Sequence, residues 1–324
     1  MSHSPDTLAV NDFTDRSGAQ ATRRIYGEAL LAAARRDPRI VALTADLSGP
    51  TETDIFRDAL PERFYQAGIA EANMVGMAGG MARCGHIPFV HTFSVFATRR
   101  AYDQVAMQVA YPGLNVKLVG FIPGVDTLLG VSHQAIDDIA LMRALPGMRI
   151  LEPAAGQAAA AVEEALAHDG PAYLRLARAN PSAAAADYPP PKDGLARLRP
   201  GRDGLLLACG LGIPAAEAAA GELARQGRDV GVVAVTSLKP LNPAIAEMAR
   251  QVPTVLTVEN HSVIGGLGSA VAELLMEHKV MVNFARVGVR DKFTHGGTTP
   301  YLMAKFEMDA AAIVREFLKA AGSA

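Results

Sequence analysis

"QAGIAEANMVGMAGGMARCG" (residues 66–85) has helical spacing, yet it carries glycines at 68, 76, 79, 80 and 85 and a single carboxylate, Glu71. Each interior glycine costs a helix about 1 kcal/mol relative to alanine. Gly76, Gly79 and Gly80 stand at i, i+3 and i+4, with Ala72 one turn earlier, and so form a bare stripe that lets another backbone come close. Tight packing within one domain explains such a stripe as well as contact with a second chain does. Glu71 lies among Ile69, Ala70, Ala72 and Met74, where a buried carboxylate needs a strong partner. The competing explanation is a first-turn glutamate favoured by the helix dipole.

Outward from this stretch, helical and strand patterns alternate along all 324 residues. "ATRRIYGEALLAAARR" has helical spacing and "IVALTAD" follows as a buried strand. "IPFVHTFSVFA", "NVKLVGFIPG", "MRILEPA" and "AYLRLAR" are further strands, with helices expected near 71–84, 98–110, 133–144 and 156–168. After "ANPSAAAADYPPPKDG" the pattern restarts: "GLLLACG", a helix at 214–226, "DVGVVAV", "TVLTVEN", a helix at 266–278, then "VNFARVGV". Such alternation predicts two doubly wound α/β domains with mostly parallel sheets. The expected division is an N-terminal arm over 1–17, a first domain over 18–185, a linker over 186–200 and a second domain over 201–324.

Composition narrows the function. Half of the residues are apolar and the net charge is −2, which gives no sign of a general nucleic-acid binder. Two cysteines, Cys84 and Cys209, lack CxxC spacing and read as buried thiols of a cytosolic protein. The start "MSHSPDTLAVNDFTDRSG" has no apolar core of a signal peptide, and no apolar run reaches transmembrane length; the expected location is cytoplasmic.

Other segments add candidates. Phe93 and Phe96, in a chain with 6% aromatic residues, form an apolar slot for a flat ring or simply fill the core. Arg99 and Arg100 read as the solvated end of a helix. Ser132 reads as a helix N-cap, which sets His133 at a helix N-terminus and Asp137 and Asp138 early in that helix. Alternation puts Leu174, Leu176 and Arg178 on one face, with Arg178 at the ligand-gathering edge of an open sheet. "GLG" (210–212) and "GGLGS" (265–269) are incomplete dinucleotide fingerprints. There is no Walker lysine motif, zinc cluster or GxSxG elbow.

Together, "GIAEANMVGMAGGMA", "TFSVFATRRAYDQV", "SHQAIDDIALMRALPGM" and "VENHSVIGGLGSA" resemble the C-terminal half of a transketolase. The likeness spans roughly 18–320 and covers a pyrimidine-binding domain and a transketolase C-terminal domain, as in the second subunit of a split enzyme. It implies thiamine diphosphate as cofactor. The family's glutamate, matched by Glu71, meets a ring nitrogen of the aminopyrimidine and drives the tautomer that takes the thiazolium proton. The resemblance assigns Phe93 and Phe96 to the aminopyrimidine pocket and Asp46 to the cofactor's surroundings. It assigns His133 to the substrate oxygen near the reacting carbon, and Arg178 and Arg23 to the sugar phosphate. The glycine-rich helix is expected at a subunit interface.

The departures matter equally. Arg99 stands where the family has a third aromatic, Leu129 replaces a hydroxyl-reading aspartate, and Pro50 replaces a phosphate-contacting serine. A different sugar specificity is expected. The magnesium–diphosphate motif of the N-terminal half is missing, so the resemblance implies a partner subunit holding diphosphate and Mg2+, a homodimer of this chain, and an α2β2 assembly. The β-subunit of a 2-oxo-acid dehydrogenase decarboxylating component, a 1-deoxyxylulose-phosphate-synthase-like enzyme and a non-catalytic scaffold are the competing readings. His91 and His261 have no assigned role, though interface packing is the default for His261.

Overall fold

The computed structural model describes residues 24–177 and 188–322. Short β-branched and aliphatic runs make the central strands, because they are too brief for a stable helix and bury both faces, while the edge strands Phe64–Gln66 and Leu195–Arg199 are half-exposed. They are β1 (Ile40–Thr44), β2 (Phe64–Gln66), β3 (Ile87–Phe93), β4 (Lys117–Phe121), β5 (Arg149–Leu151) and β6 (Ala172–Leu176). After residue 188 come β7 (Leu195–Arg199), β8 (Gly204–Ala208), β9 (Val230–Val235), β10 (Ser237–Lys239), β11 (Thr254–Ser262) and β12 (Asn283–Val289). The first sheet has the order β10-β5-β6-β4-β3-β1-β2 and the second β12-β11-β8-β9-β7. Every pairing is parallel except those of the edge strands β10 and β7, so the expected α/β architecture is present.

Two details differ from the sequence reading. The stretch 186–200, expected as linker, contains β7, an antiparallel edge strand of the second sheet. The strand β10 leaves the second domain and pairs with β5 in the first sheet, where Lys239 donates to the carbonyls of Arg143 and Leu145. One apolar cluster therefore runs through both domains, joining Leu43, Val105, Leu118 and Met142 to Leu207, Val235 and Leu267.

The glycine stripe belongs largely to this chain's own packing. A Cβ on Gly79 would stand 2.8 Å from the main-chain oxygen of Gln108, and one on Gly76 would stand 2.9 Å from its side-chain oxygen. Gly80 faces open space. Helix Glu71–Arg83 thus lies against the helical segment Val105–Ala110, which runs in π-turns. Cys84, expected buried, is exposed, because the helix ends at Arg83 and the chain turns outward; Cys209 is buried.

His91 holds the first sheet from inside. Its Nδ1–H donates to the Leu43 carbonyl at 2.9 Å, and Nε2 accepts from the Tyr26 hydroxyl at 2.7 Å. Burial pushes its pKa from 6.5 to about 4, against the opposing pull of its backbone bonds. The unfolded chain protonates this imidazole near pH 6.5 and the folded chain does not. Its contribution is therefore whole above pH 6.5 and falls as pH drops toward 4, by on the order of 3 kcal/mol. Denaturant titrations at pH 7.5, 6 and 5 are expected to show that loss in the wild type and a flatter acid limb in His91→Gln.

Candidate functional site

The carboxyl edge of the first sheet collects the chain's unusual side chains, as open α/β sheets do with ligand sites. Helix Glu71–Arg83 begins there with no side-chain cap. Its first residue, Glu71, is 2% exposed. Arg100 donates to both carboxylate oxygens, at 2.8 and 3.0 Å. The same guanidinium lies 4.1 Å from the centre of the Phe96 ring, a cation–π contact. The segment Phe96–Arg100 runs as a π-turn, a local widening often found at functional sites. Arg100, expected as solvated, is thus tied to both Glu71 and Phe96, and Arg99 pairs with Asp137 at 2.8 Å.

Phe93, at the end of β3, is 4% exposed, and its ring centre lies 6.1 Å from that of Phe96. His133 sits edge-on against both, at 6.1 Å from Phe93 and 5.2 Å from Phe96. Glu71, Phe93, Phe96 and His133 therefore form one group, with Arg100 at its centre.

His133 is not at a helix N-terminus, however. The helix expected over 133–144 begins at Asp138 and ends at Ala144. The Ser132 side chain does not cap it; its hydroxyl lies 3.0 Å from His133 Nδ1. Burial, and then the charge of Arg100, lower the His133 pKa. The delayed helix start has a cause in Asp138. Its carboxylate is drawn inside by Tyr173, which donates to it at 2.7 Å, and by Arg175 Nε at 2.8 Å.

The other expected residues are more dispersed. Asp46 is exposed with a positive φ of 58°, and its N–H donates to Gln66 Oε1 at 2.8 Å. Leu128 and Leu129 are 52% and 39% exposed on the loop before His133. Arg23 and Arg178 lie outside the described residues. His261 is fully buried between the domains, where Nδ1–H donates to the Ser262 carbonyl at 2.7 Å and Nε2 lies 3.8 Å from Asp138.

The sequence reading missed Arg100 as a partner of Glu71, and it missed the buried charge cluster below the site. Fully buried Arg175 reaches Asp138, Glu152 and the Asn260 carbonyl, the last at 2.7 Å. Burial works against ionisation of Asp138, but Arg175 and His261 outweigh it and hold that carboxyl below its usual range. Burial wins at Glu152, whose pKa is raised despite Arg175. The only local signal was Arg175 itself, an arginine in the middle of the apolar strand "AYLRL".

Two doubly wound domains with a buried glutamate and an aromatic slot at a sheet's carboxyl edge define a transketolase-type chain. A transketolase pyrimidine-binding domain matches residues 18–182, and a transketolase C-terminal domain matches 194–313. The chain belongs to the transketolase family. It is 45% identical over 299 residues to the 6-deoxy-6-sulfo-D-fructose transketolase subunit SqwH of Clostridium sp. (strain MSTE9), covering 90% of this chain and 92% of that one. It is 34% identical to a 1-deoxy-D-xylulose-5-phosphate synthase of Halalkalibacterium halodurans, over 91% of this chain but 48% of that enzyme. The solved structure of a split gene transketolase, described as an inactive beta4 tetramer, aligns with a TM-score of 0.84 at 41% identity, covering 94% of this chain and 99% of that one.

Proposed function

We propose that this chain is the second subunit of a two-component, thiamine-diphosphate-dependent transketolase. It moves a two-carbon ketol unit from an anionic ketose, phosphorylated or sulfonated, to an aldehyde in the cytoplasm. The observation that carries the reading is the link, through Arg100, between a carboxylate 2% exposed, Glu71, and the slot made by Phe93, Phe96 and His133.

The residues fit the aminopyrimidine end of the cofactor. Phe96 offers a ring face that already takes a flat cation at 4.1 Å, and a planar heteroaromatic ring needs the same kind of face. Among the described residues no acidic or His/Cys cluster is arranged for a metal ion. Diphosphate and Mg2+ are assigned to an N-terminal-half partner within an α2β2 assembly. Ile69, 75% exposed two residues before Glu71, is an apolar surface that such a partner would cover.

When bound, the cofactor supplies the electron sink for the carbon–carbon cleavage. Glu71 would share a proton with a ring nitrogen of the bound cofactor, Phe93 and Phe96 would hold the ring, and Asp46 is assigned to the cofactor's surroundings. Both Glu71 oxygens accept from Arg100 Nη1, and each keeps a further lone pair that a ring nitrogen's proton would meet. The Arg100 side chain is 47% exposed, so the guanidinium can shift toward solvent when a ring occupies the slot. His133, whose pKa is lowered by burial and by Arg100, is neutral at pH 7 and exchanges a proton at the substrate oxygen beside the reacting carbon. Arg178 and Arg23 take the anionic tail. The apolar pair Leu128–Leu129 cannot hydrogen-bond a sugar hydroxyl, so donors lacking that hydroxyl are discriminated against least.

The test is donor consumption by this chain co-purified with its partner, with thiamine diphosphate and Mg2+, across phosphorylated and sulfonated ketoses and several 2-oxo acids. Two-carbon transfer from an anionic ketose to an aldehyde is expected. Carbon dioxide release from a 2-oxo acid, with every ketose untouched, would move the chain to the synthase or dehydrogenase class.

A further inference from the structure

The loop that follows β4 carries Leu128, Leu129 and His133, and it is fastened from outside its own domain. Its two ends meet where Pro123 bridges Ala135 and the Gly124 N–H donates to the Ala135 carbonyl at 3.0 Å. At that neck stands Asn260, from β11 of the C-terminal domain and fully buried. Its side-chain oxygen accepts from the Val125 N–H at 2.9 Å, and its amide donates to the Pro123 carbonyl at 3.0 Å. The amide thus satisfies two buried backbone groups of the loop, as a neighbouring strand would. Gly124 is required beside it: its φ is +58°, and a Cβ there would stand 2.2 Å from the Asn260 main-chain oxygen. Arg175 holds that oxygen in turn, at 2.7 Å.

A second clasp lies next to His133. Gln134 is fully buried and donates to the carbonyls of Thr127 and His295, at 3.3 and 3.0 Å, while its own oxygen accepts from the Thr294 hydroxyl. Thr294 and His295 also belong to the C-terminal domain.

We infer that Asn260 is a positioning residue for the substrate-facing loop, and that the C-terminal domain sets the placement of His133 through it. This rests on the reading above, in which His133 meets the substrate. Within the first domain the neck is fastened by main-chain bonds alone, Gly124 to Ala135 and Asp126 to Pro123, and the side-chain bond to the Val125 N–H comes from Asn260. An unpaired buried Val125 N–H is expensive, and the Pro123 carbonyl would keep only the Asp126 N–H at 3.1 Å, so loss of the amide loosens the neck to let water in. Small displacements of a group that addresses the reacting atoms are costly to rate.

The experiment compares wild type, Asn260→Ala and Thr294→Val in the full chain, by hydrogen exchange of residues 123–136 and by the NMR titration of His133. In Asn260→Ala the exchange of the loop is expected to rise at least tenfold. The His133 titration is expected to move up toward its ordinary value, with circular dichroism unchanged. Thr294→Val, which removes one bond of the second clasp, is expected to give a smaller change of the same sign. In the complex with its partner, Asn260→Ala is expected to lower kcat roughly 10- to 100-fold with a smaller change in KM.

Unchanged loop exchange and an unchanged His133 titration in a folded Asn260→Ala chain would overturn the inference, whatever the activity. If that variant fails to fold, Asn260→Ser, whose hydroxyl is too short to bridge both loop groups, decides by the same two measurements. The functional reading fails separately: full activity of His133→Ala would remove the substrate role and leave the clasp standing.

Discussion

Replacing Glu71 by glutamine is expected to lower kcat of the assembled enzyme by about 10²–10⁴, the usual worth of a positioned acid–base group. The substitution keeps the side chain's shape and removes its capacity to share a proton. Folding should survive it. The pair with Arg100 has one partner almost wholly buried and the other 47% exposed, and a half-exposed ion pair adds little to stability. The glutamine oxygen still accepts from Arg100, whose other N–H groups face solvent. Thermal melting within a few degrees of wild type, together with the loss of turnover, is the expected combination. Activity within threefold of wild type would return the scaffold reading to the front.

Arg175→Met is expected to act on the opposite axis, destabilising the chain by about 3–5 kcal/mol. The guanidinium is fully buried and holds Asp138, Glu152 and the Asn260 carbonyl together. Methionine fills much of the volume but leaves two buried carboxylates facing each other without a counter-ion. Domain melting should fall by roughly 6–20 °C for a loss of that size. The pH dependence identifies the cause. Glu152 already has a raised pKa through burial, and without Arg175 both carboxyls bind protons more readily in the folded state. Folding then takes up protons, so the gap between variant and wild type is expected to narrow from pH 8 to pH 5.5. A gap that does not change with pH would mean that lost packing, not orphaned charge, sets the penalty.

Some of this was legible because its signals are local. Strand and helix alternate with periods of a few residues, and the order of the elements follows directly from them. The likeness of "GIAE", "TFSVF" and "SHQ" to transketolase segments picked out Glu71, Phe93, Phe96 and His133, which the fold brings into one group. The helix start was misread at 133 because Ser132 and Asp137 both look like caps. The pull of Tyr173 and Arg175 on Asp138, together with the bridging of Ala135 to Pro123 and the clasp on Gln134, delays it to residue 138.

What determines itself along the chain is therefore the succession of elements and the chemistry they carry. What needed the tertiary structure is every pairing across a long separation. Arg100 lies 29 residues from Glu71, and Arg175 lies 85 from Asn260. The glycines at 76 and 79 gave no hint that Gln108 is what comes close to them. The strand β10 and the amide of Asn260 both cross from one domain to serve the other. Periodicity records which face of an element is buried, but the partner of a buried charge or amide is set by where the whole chain packs. In this protein those partners tie the second domain to the candidate site.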